Sequence, residues 1–289
     1  MSLTKKKLQF FLAFFVTTIL SGCGHSDLES QLVEENAQAP VSLPAEVISA
    51  MAVGMDEVEV PIDSSEGGFS KPTEFSRLYL IDYQEYAEEV REKAAPPVVS
   101  PICGSSPSYK IKLFKWKTFP ILYSIATDGL TAGVDPITAK EAIVKALNAW
   151  DILEAPEGDL FLEAKGNATP SLTIRWGKLD GKNKVLAVAE NAFNTKTKTI
   201  ISSRITFDSS ETWKVFSASS CESQGSEFDI ESIAAHEAGH VIGIVHPVSS
   251  KKNQALTMFA TTAPGETEKR TLNKGDAFGI KKLYPKKKK

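Results

Sequence analysis

Three histidines and one glutamate have the residue types and the spacing of a catalytic metal site. His236 and His240 are four positions apart, so on a helix their imidazoles project from one face about one turn apart. Both rings can then bind a single Zn²⁺ ion at Zn–N distances of roughly 2.0–2.1 Å. Glu237 follows the first histidine, where its carboxylate can take a proton from a water molecule beside the metal.

A glycine and a further histidine complete this run. Gly243 can adopt a positive φ angle, which lets the helix stop and the chain turn back. The turn delivers His246 as a third ligand from a new direction, and the fourth tetrahedral position stays open, as in catalytic zinc sites. We therefore predict one catalytic Zn²⁺ ion. The alternative is a set of core histidines or a non-catalytic zinc clip.

The elements that must position these residues follow from local patterns. Asp229 is a candidate N-cap for an active-site helix over Ile230 to Ile242. Asp135-Pro136 predicts the start of a second helix, with Ala139, Ile143, Leu147 and Trp150 on its buried face. Alternating or apolar runs predict four strands, over Ile121–Ile125, Leu172–Trp176, Leu186–Phe193 and Ile200–Asp208. This order of elements indicates an α+β fold.

Three further segments carry a resemblance to a known family. The run around Met258 resembles the Met-turn of metzincin metalloproteases, and residues 207–213 and 271–284 resemble segments of the matrixin branch. The resemblance covers roughly residues 108 to 285. It implies a twisted mixed five-stranded sheet, an active-site helix and a C-terminal helix, with the zinc cleft between an upper and a lower half. It also implies that an extended substrate lies antiparallel along an edge strand, for which Leu186 to Ala192 is the best candidate.

The same resemblance extends to other metals. In matrixins an Asp-Gly loop and a Phe-Asp-x-x-Glu-x-Trp segment hold a structural calcium ion, which implies Ca²⁺ at Asp180, Asp208 and Glu211. Plain solvated carboxylates at turns explain these residues equally well. Thr206 stands where a histidine of the family's second, structural zinc would be, so we expect a single zinc.

The first residues of the chain have the pattern of a targeting segment. Lys5 to Lys7 precede an apolar run, Leu8 to Leu20, which is too short for a stable transmembrane helix. The run ends in Leu-Ser-Gly-Cys, which resembles a bacterial lipobox. We therefore expect residues 1–22 to be a lipoprotein signal peptide and Cys23 to carry the lipid; an ordinary cleaved signal peptide is the alternative. The protein would then be lipid-anchored in the bacterial cell envelope, at the outer membrane, with its domain facing the periplasm or the exterior.

An acidic region separates this segment from the predicted catalytic domain. Between Gly24 and Ser100 there are 16 acidic and 4 basic residues, whereas the remainder up to Lys289 is net basic. We interpret residues 23–100 as an acidic linker or prosegment and residues 286–289 as a basic tail. Apolar residues from Phe75 to Val90 recur at helical spacing and predict an amphipathic helix over 74–94. Such a helix either docks on the basic domain and restrains it, or is a spacer.

Two further cysteines leave three interpretations open. Cys103 and Cys221 form an even pair in an exported protein, which favours a disulfide. Pro101 to Gly104 also resembles the matrixin cysteine switch, in which a thiolate occupies the fourth zinc position, although Ile102 replaces the family's arginine. Free thiols are the third possibility.

These observations predict a zinc-dependent endopeptidase in residues 101–285, with Glu237 as general base. Its partners would be a protein or peptide substrate and, through Cys23, a membrane. We expect a monomer and no nucleic-acid site. The alternative is a catalytically silent zinc-containing surface lipoprotein that acts as an adhesin or scaffold. The sequence leaves open whether the target is host extracellular matrix, a prey protein or a neighbour in the envelope.

Overall fold

A twisted mixed sheet above three helices forms the body of the protein. The computed structural model describes residues 41–285, except 64–65, 67–68, 70, 85–103 and 153–158. Five strands of this sheet are β4 (Ile121–Ile125), β5 (Phe161–Glu163), β6 (Leu172–Gly177), β7 (Val185–Asn194) and β8 (Thr199–Asp208). They lie in the order β7-β8-β6-β4-β5. The predicted α+β fold class is confirmed, but the sheet is larger than the predicted five strands, because three further strands of the described residues join it.

The helices of this body begin and end near their predicted bounds. Helix α2 (Pro136–Asn148) begins at Asp135, whose carboxylate accepts a hydrogen bond from the backbone N–H of Thr138 at 2.8 Å. Helix α3 (Ile230–Val241) is the active-site helix, and helix α4 (Lys274–Leu283) begins at a capping box formed by Asn273 and Asp276. All four residues predicted for the buried face of the second helix are inaccessible to solvent, as expected of core positions.

Residues 41–84, here called the N-terminal segment, extend this sheet. They form helix α1 (Ala45–Ala52), strand β1 (Glu57–Pro61), a 3₁₀ turn (Pro72–Glu74) and strand β2 (Phe75–Gln84). Strand β2 pairs antiparallel with β7 over nine residues, and β1 pairs antiparallel with β2 on its outer side. Residues Gln38–Lys289 accordingly form one compact unit.

Strand β2 corrects the prediction of an amphipathic helix over residues 74–94. Residues 75–84 are extended, and residues 85–94 lie outside the described part of the chain. The helical spacing that suggested a helix passed over Leu80 and Ile81, which are buried as well. Because β2 is covered on both faces, its apolar residues form a nearly continuous run, and such a run does not distinguish a strand from a helix by period alone.

Two apolar clusters lie on opposite faces of the sheet. The larger lies between the sheet and helices α2 and α3 and includes Leu78 and Leu80 of β2. The smaller is formed by residues of α1, β2 and β7: Val47, Ala50, Met51, Tyr79, Ile81, Val185 and Val188.

The remaining elements are short. They comprise strands β3 (Lys110–Ile111), β9 (Trp213–Lys214), β10 (Phe228–Asp229), β11 (Ile244–Val245) and β12 (Thr261–Thr262), and 3₁₀ turns at Lys251–Asn253 and Glu268–Arg270. Strand β12 pairs parallel with the end of β2. Among the described residues, no helix is both long and apolar enough to cross a membrane.

Candidate metal centre

The active-site helix is fixed at its N-terminus by a buried ion pair. Asp229 caps α3 by accepting a hydrogen bond from the backbone N–H of Ser232 at 2.8 Å. The same carboxylate accepts two hydrogen bonds from Arg270, at 2.7 and 2.6 Å, and its side chain is inaccessible to solvent. This bidentate pair joins the start of α3 to the segment that follows the Met-turn.

The three predicted ligands converge at the C-terminal end of α3. Gly243 has φ +96°, and a β-carbon there would lie 2.7 Å from the carbonyl oxygen of Phe114, so the turn requires glycine. Beyond the turn, the Nε2 atom of His246 lies 3.1 Å from that of His236 and 3.0 Å from that of His240. The Nε2 atoms of the two helical histidines are 3.0 Å apart. The structure therefore brings all three predicted zinc ligands together.

The second nitrogen of each ring shows which atom faces the centre. Nδ1 of His236 lies 2.5 Å from the carbonyl oxygen of Thr257, and Nδ1 of His240 lies 2.8 Å from that of Ile244. A carbonyl oxygen only accepts, so both Nδ1 atoms donate and the Nε2 atoms keep their lone pairs. Nδ1 of His246 faces a carboxylate oxygen of Asp56 at 3.2 Å. Two lone pairs and the Nε2 atom of His246 thus face one point, an arrangement that suits a cation, and three imidazoles are a donor set typical of zinc.

A fourth residue, which sequence reasoning missed, completes the cluster. Asp82 of strand β2 places its Oδ1 atom 2.7 Å from Nε2 of His236 and 2.8 Å from Nε2 of His246. Its Oδ2 atom lies 3.6 Å from Nε2 of His240 and has no hydrogen-bond partner among the described residues. All four side chains are buried, and in the described part of the chain only this set of three or more metal-binding side chains has its ligand atoms within 4.8 Å of one another. In the sequence, the one signal that could have indicated Asp82 is a single carboxylate within the apolar run of β2.

The electrostatics of the cluster favour positive charge at its centre. Burial lowers the pKa of His236 to about 3, so this ring is neutral, as a metal ligand must be. Burial also acts against charge on His246, but the negative charge of Asp82, with hydrogen bonds to Asp56 and Asp82, outweighs it and raises the pKa of His246 to about 9. The two carboxylates thus favour a positive charge at this point of the cluster.

Glu237 lies beside this cluster as predicted. Its side chain is fully buried, and neither carboxylate oxygen has a hydrogen-bond donor within the described ranges. Burial raises its pKa well above the usual range, and the neighbouring Asp82 carboxylate raises it further. A raised pKa favours the protonated carboxyl group, and a cation beside it would favour the carboxylate that a general base requires.

The predicted Met-turn residue forms the floor of the centre. Met258 is 1 % exposed and packs against Gly239 of α3. Asp276 of α4 fixes the turn by accepting hydrogen bonds from the backbone N–H groups of Thr257 and Met258, at 2.9 and 3.2 Å. Thr257 in turn orients His236 through its carbonyl oxygen. Asp276 of helix α4 therefore supports a predicted metal ligand through Thr257.

The three predicted calcium ligands are neighbours, far from this centre in the chain. Asp208 accepts a hydrogen bond from the backbone N–H of Asp180 at 3.3 Å, and Glu211 accepts from the N–H groups of Asn183 and Lys184 at 2.5 and 3.3 Å. Burial raises the pKa of Asp180 and of Glu211, and the charge of Asp208 raises both further. The second oxygen of Glu211 is buried without a partner among the described residues. Calcium at these residues stays a prediction.

Of the three cysteines, Cys221 alone lies within the described residues, and it is disulfide-bonded. Both other cysteines, Cys23 and Cys103, lie outside the described residues. The pairing of Cys103 with Cys221 therefore stays a prediction, as does the lipidation of Cys23. A cysteine switch would place Cys103 against the three histidines; in the described part of the chain the carboxylate of Asp82 lies there.

The site combines two histidines on one helix, a third histidine after a glycine turn, a buried glutamate and a methionine floor. Together these features define a metzincin-type metal centre. Comparison with known proteins identifies the branch: the matrixin family profile matches residues 115–285, so the chain belongs to the matrixin family. Membership implies zinc as the metal.

Among curated proteins, similarity extends to plant and human metalloproteinases. Metalloendoproteinase 4-MMP of Arabidopsis thaliana is 27 % identical over 169 residues, which are 57 % of this chain and 45 % of the relative. Metalloendoproteinase 1 of Glycine max is 33 % identical over 81 residues, 28 % of this chain and 25 % of the relative. Matrix metalloproteinase-19 of Homo sapiens is 25 % identical over 269 residues, 83 % of this chain and 48 % of the relative. The matches thus span less than half the length of each relative.

Proposed function

We propose that the protein is a zinc-dependent endopeptidase. The observation that carries this proposal is the convergence of the Nε2 atoms of three buried histidines, 3.0–3.1 Å apart, beside the buried Glu237 side chain. His236, His240 and His246 would hold the zinc. When bound, Zn²⁺ supplies Lewis acidity, which polarises a carbonyl and makes a water molecule acidic near neutral pH.

The chain's own residues would perform the proton transfers. Glu237 accepts a proton from the attacking water, because its carboxylate lies in a buried site with no competing donor among the described residues. It then passes this proton to the leaving amine. The carbonyl oxygens of Thr257 and Ile244 hold the His236 and His240 rings in the tautomer that binds metal.

The prediction that Leu186–Ala192 is an edge strand is wrong for the described residues, because β7 pairs with β2 on one side and with β8 on the other. Strand β7 remains the proposed binding strand for substrate. An extended peptide that lies antiparallel to Leu186–Ala192 would take the place that β2 holds in this structure. Its backbone would supply the hydrogen bonds, and its alternate side chains would point toward and away from α3. A protein or peptide is therefore the proposed substrate.

The test compares cleavage of a generic unfolded protein by two variants of the full chain. Because Asp82 lies against the metal ligands, both carry Asp82→Asn, and one also carries Glu237→Gln. Zinc near one per chain in both, with cleavage only where Glu237 is retained, is the expected result; the loss should be about 10²–10⁴-fold or more. Zinc bound to both with neither cleaving would overturn the endopeptidase proposal and favour the scaffold or adhesin.

Calcium binding at Asp180, Asp208 and Glu211 is a second part of the proposal, supported by the buried oxygen of Glu211 without a partner in the described residues. Added Ca²⁺ should raise the unfolding temperature of the wild type. It should not do so for Asp208→Asn, since carboxylate oxygens provide the affinity for this hard cation. An equal shift in both would exclude the site.

We also propose that Cys23 is lipidated and anchors the protein in the bacterial envelope, on the evidence of the Leu-Ser-Gly-Cys run. A lipid anchor tethers a domain that itself remains in water. Cys23→Ala should move the protein from the membrane fraction to the soluble fraction. An unchanged distribution would contradict the anchor.

A further inference from the structure

We propose that Asp82 is the fourth protein ligand of the metal, and that the N-terminal segment thereby keeps the intact chain latent by occupying the position of the substrate. This inference rests on the proposed function, since it assumes a metal at the three histidines. It concerns a residue of the N-terminal segment, 154 positions before His236 in the chain.

The first argument is the position of the Asp82 carboxylate. Its Oδ1 atom lies 2.7–2.8 Å from two of the three Nε2 atoms, and the side chain is 3 % exposed. Because Nδ1 of His236 donates to a carbonyl oxygen, its contact with Oδ1 joins a carboxylate oxygen to a lone pair, and these repel each other without a cation. The buried Oδ2 atom has no donor within the described ranges. Carboxylate oxygen is an ordinary zinc ligand at roughly 2.0–2.2 Å, so His₃Asp would close the tetrahedron.

The second argument is the pleat of β2. Leu78 and Leu80 point into the core around α3, and the period of two places Asp82 on this same face. Tyr79 and Ile81 pack in the cluster on the opposite face. The pairing with β7 shifts by one residue directly after Asp82, since Asp82 lies opposite Ala187 and Tyr83 lies opposite Val185. Such a bulge redirects a side chain, here at the residue that reaches the metal ligands.

The third argument is that β2 occupies a complete binding edge. It continues the ladder of β7 in the antiparallel direction proposed for a substrate, and β12 pairs with its end on the other side. The part of β2 that reaches the three histidines is the Asp82 side chain and not a backbone carbonyl. Its carboxylate therefore takes the position at which a scissile carbonyl and the attacking water would have to meet. A segment bound in this way blocks the cleft without being a substrate.

The fourth argument is that contacts remote from the metal hold the segment in place. Arg77 forms an ion pair with Glu190 of β7, a residue with an 8 % exposed side chain. Lys196 and Lys112 pair with Glu74 and Glu57 at 2.7 and 3.0 Å. Asp56 holds the outer nitrogen of His246. Because these contacts tether Asp82, its effective concentration at the metal reaches about the millimolar range or above. A free ligand must exceed about this concentration to displace the carboxylate.

The experiment measures access to the metal in the full chain loaded with Co²⁺, without reference to cleavage. Acetohydroxamate, a small metal-binding probe, is titrated while the visible absorption of Co²⁺ is followed. Wild type is compared with Asp82→Asn and with Glu59→Gln, a control on an exposed residue of the same segment. We expect the probe to bind Asp82→Asn at least about tenfold more tightly than wild type. The Glu59→Gln variant should behave as wild type. Equal probe affinity in all three folded, metal-loaded proteins would overturn the inference.

A second measurement needs no variant. If Asp82 fills the fourth position, the Co²⁺-loaded wild type should relax bulk-water protons only slightly faster than the Zn²⁺-loaded form, by the small amount that uncoordinated water gives, because no exchangeable water is coordinated. Clear enhancement would refute Asp82 as a ligand even if Asp82→Asn failed to fold. Failure of the proposed function has a different signature: wild type and variant would both bind no metal, or Asp82→Asn would open the metal to the probe without cleaving any protein.

Discussion

Gly239 of the active-site helix lies against Met258: a β-carbon on Gly239 would come 2.1 Å from the sulfur of Met258 and 2.6 Å from the ring of Trp150. Both neighbours are buried, at 1 % and 0 % exposure, so neither can move aside freely. The helix can approach the methionine floor this closely only because the position between its two histidine ligands has no side chain.

Replacing Gly239 by alanine should therefore destabilise the protein although alanine favours helix. The expected loss in the free energy of unfolding is about 1–3 kcal/mol, the usual cost of overpacking. Urea denaturation of the zinc-loaded chain measures it. Met258→Leu conserves volume and should cost less than about 1.5 kcal/mol. A Gly239→Ala variant as stable as wild type would show that the helix can shift away from the turn.

Replacing Arg270 alone should lower the free energy of unfolding more than replacing Arg270 and Asp229 together. Arg270→Met leaves the Asp229 carboxylate buried without its cation, which costs about 3–5 kcal/mol. Asp229→Asn retains the helix cap and removes the charge, so the double variant should recover part of the loss. Denaturant unfolding of the four proteins gives the coupling free energy. Additive effects would mean that the buried pair is not coupled.

Loss of Asp276 should weaken metal binding from a distance. Asp276→Ala deprives the backbone N–H groups of Thr257 and Met258 of their acceptor, and the turn that orients His236 relaxes. We expect zinc affinity to fall by about 10–100-fold, as for other residues that orient metal ligands. Competition with a chelator measures the affinity. Asp128→Ala, a carboxylate in a loop remote in sequence from the ligands, serves as the control. Unchanged affinity in the folded Asp276→Ala variant would contradict this role.

The cap of helix α2 should give a pH-dependent difference in stability. The side-chain and backbone hydrogen bonds from Thr138 lower the pKa of Asp135, so its contribution is present above the pKa of the unfolded chain and lost as the pH falls through the folded value. Asp135→Asn keeps a good cap but does not titrate. The stability of wild type relative to this variant should thus decrease below about pH 4. A constant difference in urea midpoint over this range would refute the assignment.

Removal of zinc should lower the free energy of unfolding, by an amount that grows with the logarithm of the affinity for zinc. At free zinc about 1,000-fold above Kd, the metal contributes about 4 kcal/mol, which a chelator abolishes. Glu237→Gln should show the same loss on chelation, because this residue is not a predicted ligand. His246→Ala should show a much smaller one. Equal losses in all three proteins would place the stabilising metal elsewhere.

The convergence of the three histidines was predictable from the sequence because they form one local pattern. The spacing of His236 and His240 on a helix, and the glycine turn before His246, fix their relation without any knowledge of the rest of the fold. The helix caps at Asp135 and Asp229 are local as well, and the structure confirms both.

Asp82 was beyond this kind of reasoning. Its approach to the histidines depends on strand pairing between residues more than 100 positions apart, and no local period reveals such a pairing. The helical spacing of Phe75, Leu78, Tyr79 and Tyr83 was also misleading, since burial of β2 on both faces hid the alternation. The acidic composition of the region indicated attraction to a basic domain, but it could not indicate which carboxylate would reach the metal.

The cluster of Val47, Ala50, Met51, Tyr79 and Ile81 against Val185 and Val188 has a consequence for the protein's solution behaviour. If the N-terminal segment leaves, strand β7 becomes an open edge with unpaired backbone groups and an uncovered apolar face. Open edges of this kind recruit other extended chains, including copies of the same protein. The form freed of its segment would therefore be prone to self-association, and its concentration would limit its lifetime as a monomer.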